Sequence, residues 1–205
     1  LLAAGQLIER SNAGYDVSAH ESRGSAFDGA DYLINEIQVG GYPATRTDFD
    51  VPRKYGLRQT IADTIGIGGI MRGLRTIPVM IEMADEMVER CPDGLLLNYT
   101  NPMAMVPWGI WSGSRLPASR VIGVCHSVRD THAFLARTVG VPQERIEFRT
   151  AGFNHQCFVY VFRDRETGED LYPRLRAIVE ADPEGLGRRV RVELFKRFGY
   201  FPTES

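Results

Sequence analysis

Val121-Ile122-Gly123-Val124-Cys125-His126-Ser127 is an apolar run that stops at a cysteine and a histidine side by side. In a chain that alternates strands and helices, such a run is a buried parallel strand, and the residues just past its carboxyl end face the ligand crevice. Two other segments end the same way. Leu95 to Thr100 runs into Asn101-Pro102, and Ile146 to Phe153 runs into Asn154-His155. A cysteine, two histidines and an asparagine from three strand ends can converge on one small ligand or one metal ion.

Outward from that stretch, Ala30 to Val39 reads as a strand closed by Gly40-Gly41. Those glycines either admit a close backbone approach to a ligand or simply permit a turn. Met103 to Trp111 and Ser127 to Gly140 read as helices, the second stopped by Gly140 and Pro142. The alternation implies an α/β fold with a doubly wound parallel sheet. After Arg145 the pattern changes, because Ile146 to Phe153 and Gln156 to Phe162 lie close enough to pair antiparallel. Helices are expected over 172–181 and 186–198. A boundary therefore falls near residue 150, with residues 1–150 in the parallel-sheet domain and 151–205 opening an α+β domain.

Leu1 to Arg10 has helical spacing. Tyr42 to Tyr55, with Pro43, Pro52 and no apolar period, is expected to be an irregular lid or binding loop. Gly66-Ile67-Gly68-Gly69 opens a helix without being a dinucleotide fingerprint, since Met71 stands where the third glycine belongs and no apolar strand precedes it. Pro78 is expected to begin a second helix, with Ile77, Ile81, Ala84, Met87 and Val88 as a buried stripe.

The chain has 205 residues, 43% of them hydrophobic, with a formal charge of −2. That is enough to bury a full core, and the absence of a basic surplus argues against a nucleic-acid partner. No apolar run approaches the roughly 20 residues a membrane helix needs, so a soluble cytoplasmic protein is expected. Three cysteines, an odd count, argue against a disulfide framework. The start on Leu1 and the stop at Ser205 suggest a fragment.

Cys125 and His155 are a candidate metal pair, since a thiolate and an imidazole are both first-rank donors, and on softness alone they favour zinc or iron over manganese. Cys125 as a nucleophile is the alternative. His126 is a poor base for it, because neighbours along an extended segment point to opposite faces. A third possibility is a plain core cysteine. His132 reads as structural, and Cys91 as a small buried hydrophobe.

Tyr99-Thr100-Asn101-Pro102-Met103-Ala104, then Val124-Cys125-His126-Ser127, then Ala151-Gly152-Phe153-Asn154-His155, in that order and spacing, resemble glycoside hydrolase family 4. The likeness extends through Val39-Gly40-Gly41-Tyr42, Asp63-Thr64 and Gly68 to Pro78, and reaches Leu171-Tyr172-Pro173 and Phe198 to Ser205. The resemblance implies a Rossmann-like fold of the lactate and malate dehydrogenase type. It also implies an enzyme that uses NAD and a divalent metal, usually Mn2+, to break glycosidic bonds by oxidation at carbon 3, elimination and water addition, outside the two-carboxylate scheme. By the same resemblance Cys125 and His155 are the metal ligands, His126 is the general acid, Asn101 contacts the sugar near the nicotinamide and Asp63 is a weaker sugar contact. Cys-His-Ser is similar to the α-galactosidase and α-galacturonidase branch, acting on unphosphorylated sugars. Residues 1–150 then form the later part of an NAD-binding domain, and 151–205 open the substrate and oligomerisation domain.

The family's phosphate-cradling glycines would precede Leu1 and its base would follow Ser205. The NAD-contacting residues thus stay unassigned, and the 205-residue chain alone is expected to be inactive. Partners implied are a small carbohydrate and a second copy, as dimer or tetramer. Rival readings are an α-galacturonidase or α-glucuronidase of the same family, a metal-independent NAD-dependent 2-hydroxyacid dehydrogenase, and a non-catalytic binding protein.

Overall fold

A computed structural model describes residues 2–12, 14–59 and 64–204. Helices α1 (Leu2–Ser11) and α2 (Arg23–Phe27) precede strand β1 (Tyr32–Asn35). Helices α3 (Gly41–Lys54) and α4 (Gly66–Arg90) then lead to β2 (Leu95–Asn98), α5 (Met105–Gly113) and β3 (Val121–Gly123). The three strands form a parallel sheet in the order β1-β2-β3, with Tyr32 opposite Leu95 and Leu96 opposite Val121. Alternate residues Leu33 and Leu96 turn toward Met80, Ala84 and Met87 of α4 and Val106 and Ile110 of α5, which is where the first core sits.

Helix α6 (Ser127–Val139) follows β3 and ends on Gly140, whose φ of 69° fits the left-handed cap expected there. An antiparallel hairpin comes next, β4 (Ile146–Phe153) with β5 (Gln156–Asp164), then α7 (Tyr172–Ala181) and α8 (Arg189–Phe198). Val159, Phe162, Leu175, Phe195 and Phe201 make a second core that also takes Leu135, Ala136 and Val139 of α6. The architecture is the expected one, a parallel α/β sheet followed by a small antiparallel sheet.

Two local expectations fail. Residues 41–54 are helical, so Tyr42 to Tyr55 is not a loop. Pro43 falls in the first turn, where its missing amide costs nothing, and the helix is fastened by charge instead of an apolar stripe. Asp48, 5% exposed, takes two hydrogen bonds from the Arg75 guanidinium of α4, at 2.6 and 3.3 Å. Pro78 also begins no new helix, because α4 runs through it for 25 residues. The carbonyl that Pro78 leaves without a helical donor belongs to Leu74, and both residues are exposed, so water can serve it. β1 is shorter than expected, since residues beyond Asn35 leave the sheet. There the Ile37 carbonyl accepts from Thr100 Oγ1 at 3.0 Å and the Val39 carbonyl from Arg75 Nε at 3.1 Å.

The segment after α8 is strapped along β5. Val159 N–H donates to the Phe201 carbonyl and Thr203 N–H to the Cys157 carbonyl, both at 2.9 Å. Glu204 is thereby carried toward the hairpin tip.

Candidate active site

β3 leaves the sheet at Gly123, and the Val124 N–H still donates to the Asn98 carbonyl at 2.9 Å. Cys125 therefore sits just past the carboxyl end of the sheet, against the first turn of α6. Its sulfur lies 3.2 Å from the Ser127 hydroxyl. The thiol is pulled from 9.0 to about 6, first by a hydrogen bond from His155, with the Ser127 hydroxyl and amide adding to it against the opposing effect of burial. A helix N-terminus and an imidazole are the surroundings that turn a thiol into a thiolate near neutral pH.

His155 reaches this sulfur from the other sheet. It is the second residue of a two-residue turn between Phe153 and Gln156, with φ of 61°. For a residue with a Cβ that conformation costs about 1 to 2 kcal/mol, held here by the hairpin on both sides. Gly152 makes the approach possible, because at φ of 133° a Cβ would lie 2.3 Å from the Gln156 carbonyl oxygen. Neighbouring Asn154 is 9% exposed, and its Oδ1 has no hydrogen-bond partner among the described residues.

Asn101 lies past the end of β2, joined to Pro102 by a cis peptide bond. Buried polar contacts fix the chain leading to it. Asn35 Nδ2 donates to Asn98 Oδ1 and to Thr100 Oγ1, both at 2.8 Å, and Asn98 Nδ2 donates to the Thr100 carbonyl at 2.9 Å. His126 is exposed at the start of α6, its ring inclined 67° to that of Tyr99 at a centroid distance of 6.4 Å. The structure thus brings Cys125 and His155 into contact and leaves Asn101 and His126 at the same sheet end. Asp63 lies outside the described residues. His132 stacks on Phe148 at 4.5 Å, and burial lowers its pKa.

The sequence reading missed Ser127, although a serine opening a helix two residues after a cysteine is a visible signal. It also missed Cys157, whose thiol is pushed up first by burial and further by nearby Cys125, and which donates to the Phe153 carbonyl at 2.8 Å. Nothing in the sequence pairs these two cysteines.

A divalent cation fits the donor set. A thiolate and an imidazole brought together are two donors that a divalent cation would take, and the orphaned Asn154 oxygen is a polar atom that a bound ligand would satisfy. Among the described residues no group of three or more His, Cys, Asp or Glu side chains comes together as a closed metal cage. Two protein donors leave positions open for substrate oxygens.

Comparison with known proteins agrees in order and extent. The model of the family 4 glycosyl hydrolases matches residues 1–141, and that of the family 4 glycosyl hydrolase C-terminal domain matches residues 150–205. An α-galactosidase of Bacillus subtilis (strain 168) is 44% identical over 201 residues, covering 97% of this chain and 45% of that protein. An α-galacturonidase of Thermoanaerobacterium saccharolyticum is 35% identical over 160 residues, 75% of this chain and 34% of that protein. The chain thus spans less than half the length of these relatives. A 6-phospho-α-glucosidase from gut microorganisms, solved with NAD and Mn2+, superposes with a TM-score of 0.84 at 24% identity, covering 96% of this chain and 47% of that one. The chain belongs to the family 4 glycosyl hydrolases.

Proposed function

We propose that the polypeptide carrying this chain is an NAD- and Mn2+-dependent α-galactosidase. Cys125 and His155 hold the cation, His126 is the general acid, and Asn101 and Asp63 contact the sugar. One observation carries the reading, the lowering of the Cys125 thiol by His155, which brings a residue past the parallel sheet together with one on the hairpin turn. Its relatives point to an uncharged α-galactoside first, given the 44% identity to an α-galactosidase. An α-galacturonide is the second reading, on the 35% identity to an α-galacturonidase.

When bound, NAD supplies a hydride acceptor and the cation a Lewis acid. The chain's own residues do the rest. Ser127 and the first turn of α6 hold Cys125 as a thiolate. The hairpin turn fixes the His155 ring, so both donors are aimed before substrate arrives. His126, exposed at the sheet end, holds a proton at a ring nitrogen for the departing glycosidic oxygen. Asn101, set by the Asn35–Asn98–Thr100 contacts, presents its amide to sugar hydroxyls.

In this reading residues 1–150 belong to the NAD-binding domain and 151–205 open the α+β domain. The protein works in the cytoplasm as a homo-oligomer, in keeping with three free cysteines and with no helix among the described residues long and apolar enough to cross a membrane. The test is to assay the longest polypeptide carrying this sequence with nitrophenyl α-galactoside and α-galacturonide, with and without NAD, Mn2+ and a thiol reductant. Release of nitrophenol that needs both cofactors is expected. Turnover of a 2-hydroxy acid unaffected by chelation, with no glycoside cleaved, would establish the dehydrogenase reading instead.

A further inference from the structure

Cys125 sits at the start of α6 and His155 in the turn of the β4–β5 hairpin, but the chain joins these two elements at their far ends, through residues 140–145. Thirteen helical residues at about 1.5 Å each put the Cys125 end of α6 about 20 Å from that joint, so a tilt of about 3° shifts it by about 1 Å. A misplacement of that size spoils a site whose donors must be aimed in advance. Leu135, Ala136 and Val139 fix the later turns of α6 in the second core, nearer the joint than the site. The end nearer the site is tied by a different contact. Thr131, one turn past Ser127, is 0% exposed, and its Oγ1 donates to the Thr203 carbonyl at 2.9 Å. Thr203, also 0% exposed, donates its N–H at 2.9 Å and its hydroxyl at 3.3 Å to the Cys157 carbonyl, two residues past His155. One residue of the strap thus links α6 to the hairpin beside its turn.

We propose that Thr131 is a positioning residue for the metal pair, its hydroxyl setting the gap between Cys125 and His155 through Thr203. The inference rests on the reading above, in which those two residues hold a divalent cation. A helical threonine commonly bonds back to the carbonyl four residues before it, as Thr138 does to Phe134 at 2.9 Å. Thr131 on the same helix gives its proton to the strap instead. The bond is out of water at both ends, so solvent does not compete for it. Arg191 of α8, 8% exposed, donates to the same Thr203 carbonyl and holds the strap from the other side. Residues that fix a metal ligand without touching the ion govern affinity by holding the donors at the right separation.

The test titrates Mn2+ calorimetrically into the longest polypeptide carrying this sequence, reduced and stripped of metal, and reads the melting temperature of the same metal-free samples. Thr131→Val keeps the side-chain shape and removes the donor. Arg191 still serves the Thr203 carbonyl, so no buried acceptor is orphaned and the melting temperature should fall by no more than about 4 °C. The Mn2+ dissociation constant should rise at least about tenfold. Thr131→Ser, which returns the hydroxyl, should bind within about twofold of wild type. Thr138→Val, which removes the other hydroxyl of the helix, should leave the affinity unchanged. If Thr131→Val does not fold, Thr131→Ala is the second variant and should weaken Mn2+ as much. Wild-type affinity in the folded Val or Ala variant, equal weakening in Thr138→Val, or no recovery in Thr131→Ser would overturn the positioning role and leave the metal pair standing. Wild-type protein that binds no Mn2+ would instead remove the metal pair and this inference with it.

Discussion

The Cys125 thiol, drawn to about 6 by His155, is the most informative single group in the chain. Its folded pKa lies below that of an unfolded thiol. The stability it contributes is therefore fully present above the unfolded value and is lost as pH falls through about 6. In metal-free protein, iodoacetamide should alkylate Cys125 with a pH midpoint near 6. Cys91 and Cys157, both raised mainly by burial, should react only at higher pH. His155→Ala should move the Cys125 midpoint up toward 9.0, as mass spectrometry of the labelled peptides would show. A midpoint unmoved by that substitution would mean the histidine does not hold the thiolate. At this scale the sequence was readable in position, since Cys125, His126 and Asn101 do lie just past strand ends. Ser127 was passed over although its place at a helix start was visible, and the sequence was mute on Cys157, whose part depends on a hairpin register that spacing does not reveal.

Among the elements, β2, β3 and α6 were legible because apolar runs and a glycine stop mark them directly. Helix α3 was not, since its anchor is one ion pair and a periodic search looks for apolar residues. Arg75→Met tests that anchor by leaving the Asp48 carboxylate buried and uncompensated. It should destabilise the protein by about 3 kcal/mol in urea denaturation, and a change below about 0.5 kcal/mol would show that the helix is held otherwise. Helix α4 was misread at Pro78 because the cost of a proline depends on which face its orphaned carbonyl meets, and burial is not written in a local window. The hairpin makes a similar demand. Gly152→Ala should cost at least about 1 kcal/mol, through the positive φ and the clash with the Gln156 carbonyl. It should also weaken the Cys125 shift, because His155 is displaced with the turn.

Within this chain, which spans less than half the length of the relatives it matches, the parallel sheet is covered by α4 and α5 on one face. On the other, Tyr32 and Ile34 are each 68% exposed and Ile122 46%. The sequence alone could not show this one-sided burial, because an apolar run reads the same whether one face or both are covered. Leu96→Ala, on the covered face, should cost about 2 to 5 kcal/mol. Ile34→Thr should stay within about 0.5 kcal/mol. Similar losses at the two positions would mean that something packs on the open face.

Cys125, past the end of the parallel sheet, meets His155 on the hairpin turn, and the proposed function depends on that pair gripping a cation. The decisive measurement is calorimetric titration of Mn2+ into reduced, chelator-stripped protein at pH 7.5, for wild type, Cys125→Ser and His155→Ala. Saturable binding near one ion per chain is expected, weakened at least about tenfold in each variant and lost as pH falls below about 6. Binding of equal strength in all three proteins, or none in the wild type, would contradict it.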